Sequence, residues 1–321
     1  MEKILIKDRQ SFKYSLVKRV KASKFLILMI IPAIVYYVLF CYVPMYGVFL
    51  SFADYSISKG VLGSIFENWV GFDNFIFIFN YPKFGEAFLN TLLIGSLKVV
   101  VSFLGAVLVA LLINEIRMRF FKKTVQIVVT FPHFLSWVVV ASLFLMLLDK
   151  TGIINKAIVA AGGQDLTLFS DGKQFIGLLL STDVWKEAGW GSIIYIATMA
   201  GISSDLYEAA DIDGATRLQK IWHITLPGIR PTAILLLIMS VGGVLSAGFD
   251  QIFNMTSQLH NSLVIDSVEI IDTLIYSNTI ASKSLDEGIT TAIGLFKSVV
   301  GFVLVIVTDR IAKLCGERGI I

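Results

Sequence analysis

The sequence predicts an all-α integral membrane protein with six transmembrane helices and both termini in the cytoplasm. Three observations predict it. The chain of 321 residues is 56% hydrophobic and only 16% charged, with a mean hydropathy of +0.78, whereas a soluble globular domain lies nearer a quarter charged. Six apolar stretches each approach the roughly 20 residues that carry a helix across a bilayer core of about 30 Å. The Lys and Arg residues between these stretches segregate to alternate connections.

Residues 1–24 hold Lys3, Lys7, Arg9, Lys13, Lys18, Arg19, Lys21 and Lys24 against Glu2 and Asp8. A basic start before an apolar run also suits a signal peptide. The run that follows, however, is longer than an h-region and no small-residue cleavage site comes after it. It reads as a basic cytoplasmic segment leading into an uncleaved first span at about 25–52. Further spans are expected at 89–113, 125–148, 184–202, 232–248 and 289–308. The fourth is the least regular. Ser181-Thr182-Asp183 and Lys186-Glu187 interrupt it, so 175–183 is expected to be an outer-face segment that leads into the span.

Sidedness follows from the connections. Segments 1–24, 115–123, 202–231 and 309–321 hold 18 of the 27 Lys and Arg, and segments 53–87, 149–174 and 249–290 hold six. The first group therefore faces the cytoplasm, with both termini inside a multi-pass cell-membrane protein. The last outer connection is acidic, with Asp250, Asp266, Glu269, Asp272, Asp286 and Glu287, and 264–276 is expected to form a short helix there. Cys41 and Cys315 offer no disulfide framework, and His133, His223 and His260 are scattered. Neither a metal nor a redox cofactor is expected in this chain, nor is a nucleic-acid partner.

One cytoplasmic connection, 203–230, is polar and helix-forming. Asp205 is placed to cap a short helix with Glu208 three residues on. Gly214 supplies a bend, Thr216–His223 reads as a second helical stretch, and Pro227 and Pro231 begin the next element. An amphipathic helix lying on the membrane is one reading. Its four acids (Asp205, Glu208, Asp211, Asp213) against three bases (Arg217, Lys220, Arg230) suit an anionic inner leaflet poorly. A docking element for a cytoplasmic protein accounts better for the mixture.

Glu208-Ala209-Ala210, Gly214 and the ending Ile224-x-Leu226-Pro227 resemble the EAA loop of ABC importer permeases. Phe40–Gly47, His133–Val140, Gly189–Tyr195 and Gly294–Gly301 resemble the polysaccharide, LplB-type branch of that family, which takes up pectin fragments among other sugars. The resemblance implies the type I importer permease fold (MetI-like, related to MalF). It implies that Tyr207, Glu208, Ala209, Ala210, Asp213, Gly214, Leu226 and Pro227 couple the spans to an ATPase. It further implies a heterodimer of two permeases, two ABC ATPase subunits that bind ATP and Mg, an extracellular solute-binding lipoprotein and an oligosaccharide substrate. The chain has no G-x-x-x-x-G-K-[ST] loop to cradle ATP and no soluble binding domain, so both tasks fall to other chains.

Ionisable residues inside spans are functional candidates. Lys98 and Lys297 lie near mid-span, and Lys186 and Glu187 lie toward the outer end of the fourth. The lysines either pair with backbone carbonyls or a partner acid across the heterodimer, or attract an anionic sugar such as a pectin-derived uronate. For Lys186 and Glu187 the alternative is a local surface pair. Trp137, Trp190, Tyr195, Asp250 and Gln251 supply stacking faces and hydrogen-bonding groups suited to a sugar, or serve as interfacial anchors and packing. A secondary, ion-coupled transporter without an ATPase is the alternative; it leaves the long cytoplasmic insertion unexplained, and no repeat relates the two halves of the chain.

Overall fold

The computed structural model describes residues 23–281, 285–314 and 316, so most of the basic segment 1–24 lies outside the described residues. Among them the chain is helical, and its one β-type contact is a bridge between Ala53 and Trp69. The first helix, α1 (Lys24–Phe52), relaxes into a π turn at Val38–Tyr42 and a 3-10 stretch at Val43–Phe52. Short α2 (Gly60–Glu67) and α3 (Asp73–Asn80) lead to the long α4 (Pro82–Asn114). Then come α5 (Arg119–Thr130), α6 (Trp137–Leu148), α7 (Ile153–Ala160) and α8 (Gly172–Ala200). The chain continues through α9 (Ser204–Ile212), α10 (Arg217–Gly242) and the short α11 (Phe249–Met255). It ends in α12 (Ile265–Val268), α13 (Ile271–Tyr276) and α14 (Glu287–Leu314).

Five stretches are long and apolar enough to cross a membrane: α1, α4, α6 with α7 (Trp137–Ala160), α10 and α14. The 29-residue α8 matches them in length, at about 44 Å for 1.5 Å per residue, but carries Lys173, Asp183, Lys186 and Glu187. Its charges are not an interruption. The segment 175–183, expected as an outer-face lead into the span, is continuous with the span in one unbroken helix, with Phe175, Leu179 and Thr182 buried. Ser and Thr satisfy their hydroxyls on the preceding turn, as Thr182 does on Leu178 (2.8 Å), so polar residues do not end a helix here.

The expected third span, 125–148, is in contrast divided. Helix α5 stops at Thr130, a 3-10 turn covers Phe131–Phe134, and α6 restarts after the cap Ser136, whose hydroxyl accepts from the Val139 amide (3.4 Å). Pro132 lacks the amide that would continue the ladder. The fifth span starts earlier than 232 because Thr216–His223 runs without a stop into α10. A π turn at Ile221–Thr225 absorbs the hydrogen bond that Pro227 cannot donate. It also ends earlier, at Gly242, before Ala247 (φ 40°) and Gly248 (φ 84°) turn the chain through two left-handed residues.

Helices α4 and α8 form the main contact of the molecule and run in the same direction, with Ser102 bonded to Asp183 and Ala106 facing Gly191. Small residues let them approach: Gly105 faces Val184 and Ala188. Gly95 rests on the Val244 carbonyl and Gly189 on the Val129 carbonyl, each too close for a Cβ atom. Three apolar clusters complete the core. One gathers Phe175, Leu179, Ile252 and Met255, a second Phe84, Leu274 and Ile293, and a third Ala110, Tyr195, Met199 and Ile229.

Candidate functional site

A cavity of about 330 Å³ opens beside the α4–α8 seam and is lined by Lys98, Ser102, Asp183, Glu187, Trp190 and Tyr195, among others. The α8 residues recur every three or four positions (183, 187, 190 and 191, 194 and 195), which is the helical spacing of one face. Lys98 is 8% exposed. Its ammonium lies 3.6 Å from Asp183 Oδ1 and donates to Gln251 Oε1. Asp183 Oδ2 accepts from the Ser102 hydroxyl at 2.7 Å. Gln251, fully buried, donates from Nε2 to the Leu179 carbonyl and to Thr182 Oγ1, both at 2.8 Å. The network joins α4, α8 and α11, and each charge has a counter-charge or dipole, as a buried ion pair requires. Gly248 suits this place because its φ is positive, and the Lys98 ammonium lies close against it.

A second polar group lies along α8. Lys186, 5% exposed, donates to the His133 carbonyl (2.8 Å) and to Glu187 Oε1 (3.0 Å), and stands over the Trp137 ring at 5.4 Å. The His133 Nδ1–H donates to Glu187 Oε2 at 2.7 Å. The imidazole stacks on Trp190, with centroids 4.4 Å apart and planes 3° from parallel. Lys186 and Glu187 are thus an interior clamp rather than a local surface pair.

The structure brings together Lys98, Trp190 and Tyr195 at the cavity, with Gln251 behind it. Trp137 lies behind Lys186, and Asp250 is exposed at the start of α11. Lys297 lies elsewhere, bound on α14 by both carboxylate oxygens of Asp272 (2.6 and 2.7 Å). The acids that meet Lys98 and Lys297 belong to this same chain. Asp183, Ser102 and His133 are site residues the sequence reading did not select, and Glu187 was weighed there only beside Lys186. The 183–187–190 spacing would have placed two of them, Asp183 and Glu187, on one face of α8 with Trp190.

The polar connection forms a separate surface. Ser203, not Asp205, caps α9, accepting from the Asp205 amide at 3.3 Å. The expected cap is two residues late because serine and aspartate both suit the role. No residue of α9 is buried, and Glu208 and Ala209 are exposed. Tyr207 and Thr225 share a hydroxyl hydrogen bond (2.9 Å), and Lys220 bonds Asp211 (2.6 Å). These contacts and the left-handed Gly214 (φ 73°) bind α9 to the start of α10. Asp213 ends α9, and Leu226 and Pro227 follow the π turn of α10. Leu206, Ile212, Leu218 and Trp222 are all more than half exposed there, around a shallow hollow lined by Ala210, Ala215 and His223.

The comparisons with known proteins agree with this architecture. A family model described as the binding-protein-dependent transport system inner membrane component matches residues 102–315. The polygalacturonan/rhamnogalacturonan transport system permease protein YteP of Bacillus subtilis is 40% identical over 317 residues, covering 98% of this chain and 96% of that protein. Protein LplB of the same organism is 40% identical over 301 residues, 94% and 92% of the two. A crystal structure of a bacterial ABC transporter involved in the import of the acidic polysaccharide alginate contains a chain with TM-score 0.82 and 33% identity, covering 93% of this chain and 98% of that one. In the bacterial alginate ABC transporter complexed with alginate pentasaccharide-bound periplasmic protein, a chain matches with TM-score 0.83 and 32% identity over 94% and 99%. This chain therefore belongs to the family of binding-protein-dependent transport system inner membrane components, the permease subunits of ABC importers.

Proposed function

We propose that this chain is one permease of a heterodimeric importer of oligosaccharides, acidic pectin-type fragments among them. It works with a second permease, two ATPases that bind ATP and Mg, and an extracellular solute-binding protein. Counting α8 as the fourth span gives six and puts both termini in the cytoplasm, the arrangement that the Lys and Arg distribution favours. The cavity on α4 and α8 carries the sugar reading. It sets an indole and a phenol beside two carboxylates, a hydroxyl and an ammonium, the mixture that sugar faces and hydroxyls require. An acidic substrate is supported by the names of the relatives, polygalacturonan and rhamnogalacturonan for one and alginate for another.

Coupling follows from continuity. Helix α9 is the docking element for an ATPase, and its bonds to α10 make the two move together. From there α10 runs unbroken to Gly242, close to the left-handed pair before Gln251, which holds Lys98. A displacement imposed at Glu208 thereby reaches the polar network, and ATP binding by the partner biases a two-state element at the cavity.

The test is uptake by the full importer reconstituted in vesicles. Labelled oligogalacturonate should accumulate only with ATP inside and binding protein outside. Accumulation driven by a proton or sodium gradient alone would refute the reading. Glu208→Lys should abolish co-purification of the ATPase while leaving the chain inserted.

A further inference from the structure

We propose that Trp190, backed by His133, is a stacking platform for a pyranose ring and that Glu187 accepts a hydroxyl of the same sugar. The inference rests on the reading of the cavity as a sugar path and adds which side chains hold the ring. Trp190 lines the cavity and remains 46% exposed. One face of its indole is covered by the parallel imidazole of His133, and Phe134 meets it edge-on, with centroids 5.8 Å apart. An indole held on one face and along an edge keeps its other face in a fixed orientation. The C–H face of a pyranose packs on such a surface without distortion.

The support behind that ring exceeds what packing needs. His133 lies on the 3-10 turn between α5 and α6 and is held at two points. Lys186, a buried ammonium, binds its carbonyl, and Glu187 binds its Nδ1–H. Burying a lysine inside a span is costly, and this one orients the turn that carries the imidazole. Glu187 Oε2 accepts from His133 and Oε1 from the Lys186 ammonium, which leaves lone pairs for a sugar hydroxyl. Glu187 stands three residues before Trp190 on α8, so carboxylate and indole face the cavity together. Planar stacking with one directed acceptor distinguishes sugar rings from flexible acyclic solutes of similar polarity. His133 and Lys186 are positioning residues, while Trp190 and Glu187 touch the sugar.

The test uses the assembled importer with Trp69, Trp137, Trp185 and Trp222 replaced by Phe, and the Trp190 signal is read as the difference from the same importer that also carries Trp190→Phe. It is titrated with trigalacturonate and separately with neutral xylotriose. A saturable change with trigalacturonate supports the platform and the acidic reading together. A change with xylotriose alone supports the platform while refuting the acidic substrate. In vesicle uptake of the responding sugar, Trp190→Leu should raise KM about tenfold with little change in kcat, and Trp190→Phe should recover most of it. His133→Ala should raise KM about threefold, and His133→Phe, which keeps the stack but not the hydrogen bond, should restore it. The platform is overturned if neither sugar changes the fluorescence. It is overturned equally if Trp190→Leu keeps its KM, or if His133→Ala and His133→Phe lose kcat alike, as a merely structural position would.

Discussion

At the scale of single residues, the lysines show what a sequence can and cannot disclose. Their placement inside apolar runs was legible, because charge in a span stands out. Their partners were not. Asp183 and Asp272 lie 85 residues after Lys98 and 25 before Lys297 in the chain, and only packing brings them together. Pairing decides how each will respond to substitution. Lys98→Ala should destabilise the protein by about 3 kcal/mol, since it leaves the Asp183 carboxylate buried without a cation. Adding Asp183→Asn should recover much of that loss. Thermal unfolding of the detergent-solubilised chain, followed by fluorescence, measures both, and equal stability of Lys98→Ala and the parent would remove the ion pair from the account. Gly189 makes the opposite case. Its contact with the Val129 carbonyl means that even Gly189→Ala must shift a backbone, which should cost about 1–3 kcal/mol in the same experiment.

Elements were legible where periodicity was strong and misjudged where local chemistry carried two readings. The polar residues in α8 suggested a boundary, yet their hydroxyls bond within the helix and their charges bond across it. Pro132 did end a helix, and Pro227 did not, because a π turn precedes it. Gly214 was read as a bend, and the structure supplies the reason. Its φ is 73° and no atom lies within 4 Å of an added Cβ, so conformation alone restricts the position. Gly214→Leu should therefore strain the α9–α10 joint by about 1–2 kcal/mol, while Gly214→Asn should be accepted more readily. ATP-driven uptake should fall more in the leucine variant than in the asparagine variant, with insertion unchanged in both. Equal activity of the two would indicate that this turn relaxes freely. Near α13, burial pushes the Glu269 carboxyl above its usual range, opposed by Lys83 at 3.9 Å and reinforced by Asp266 and Glu86. A carboxyl with a raised folded-state pKa binds protons more tightly folded than unfolded. Its stabilising contribution is complete below the ordinary value of 4.5 and is lost as pH rises through the folded value. Amide exchange over 265–276 should slow as pH falls from 7 toward 4.5, after correction for the intrinsic rate. Glu269→Gln should already be slow at pH 7 and should flatten that dependence.

At the scale of the whole molecule, the part that packs least on this chain is α1. No residue of Lys24–Tyr37 or of Val38–Tyr42 is buried, and the helix holds on to the rest mainly through its 43–52 end against α14. Lipid alone could solvate an apolar helix, but this one carries Tyr36, Tyr37 and Tyr42 near its middle rather than at its ends. Tyrosine hydroxyls suit the membrane interface, where water meets them; in the hydrocarbon core they have no partner. A protein surface can supply both the packing and the acceptors, so the second permease of the proposed importer is the better neighbour for this arm. Cys41, exposed on the same stretch, gives the means to test it. With Cys315 changed to Ser, a nitroxide on Cys41 should be mobile and accessible to oxygen in the isolated chain within a bilayer. On assembly with the second permease it should become immobilised, and its collision rate with oxygen should fall several-fold. A label equally exposed to oxygen in both states would place α1 in lipid and require the two permeases to meet through another face.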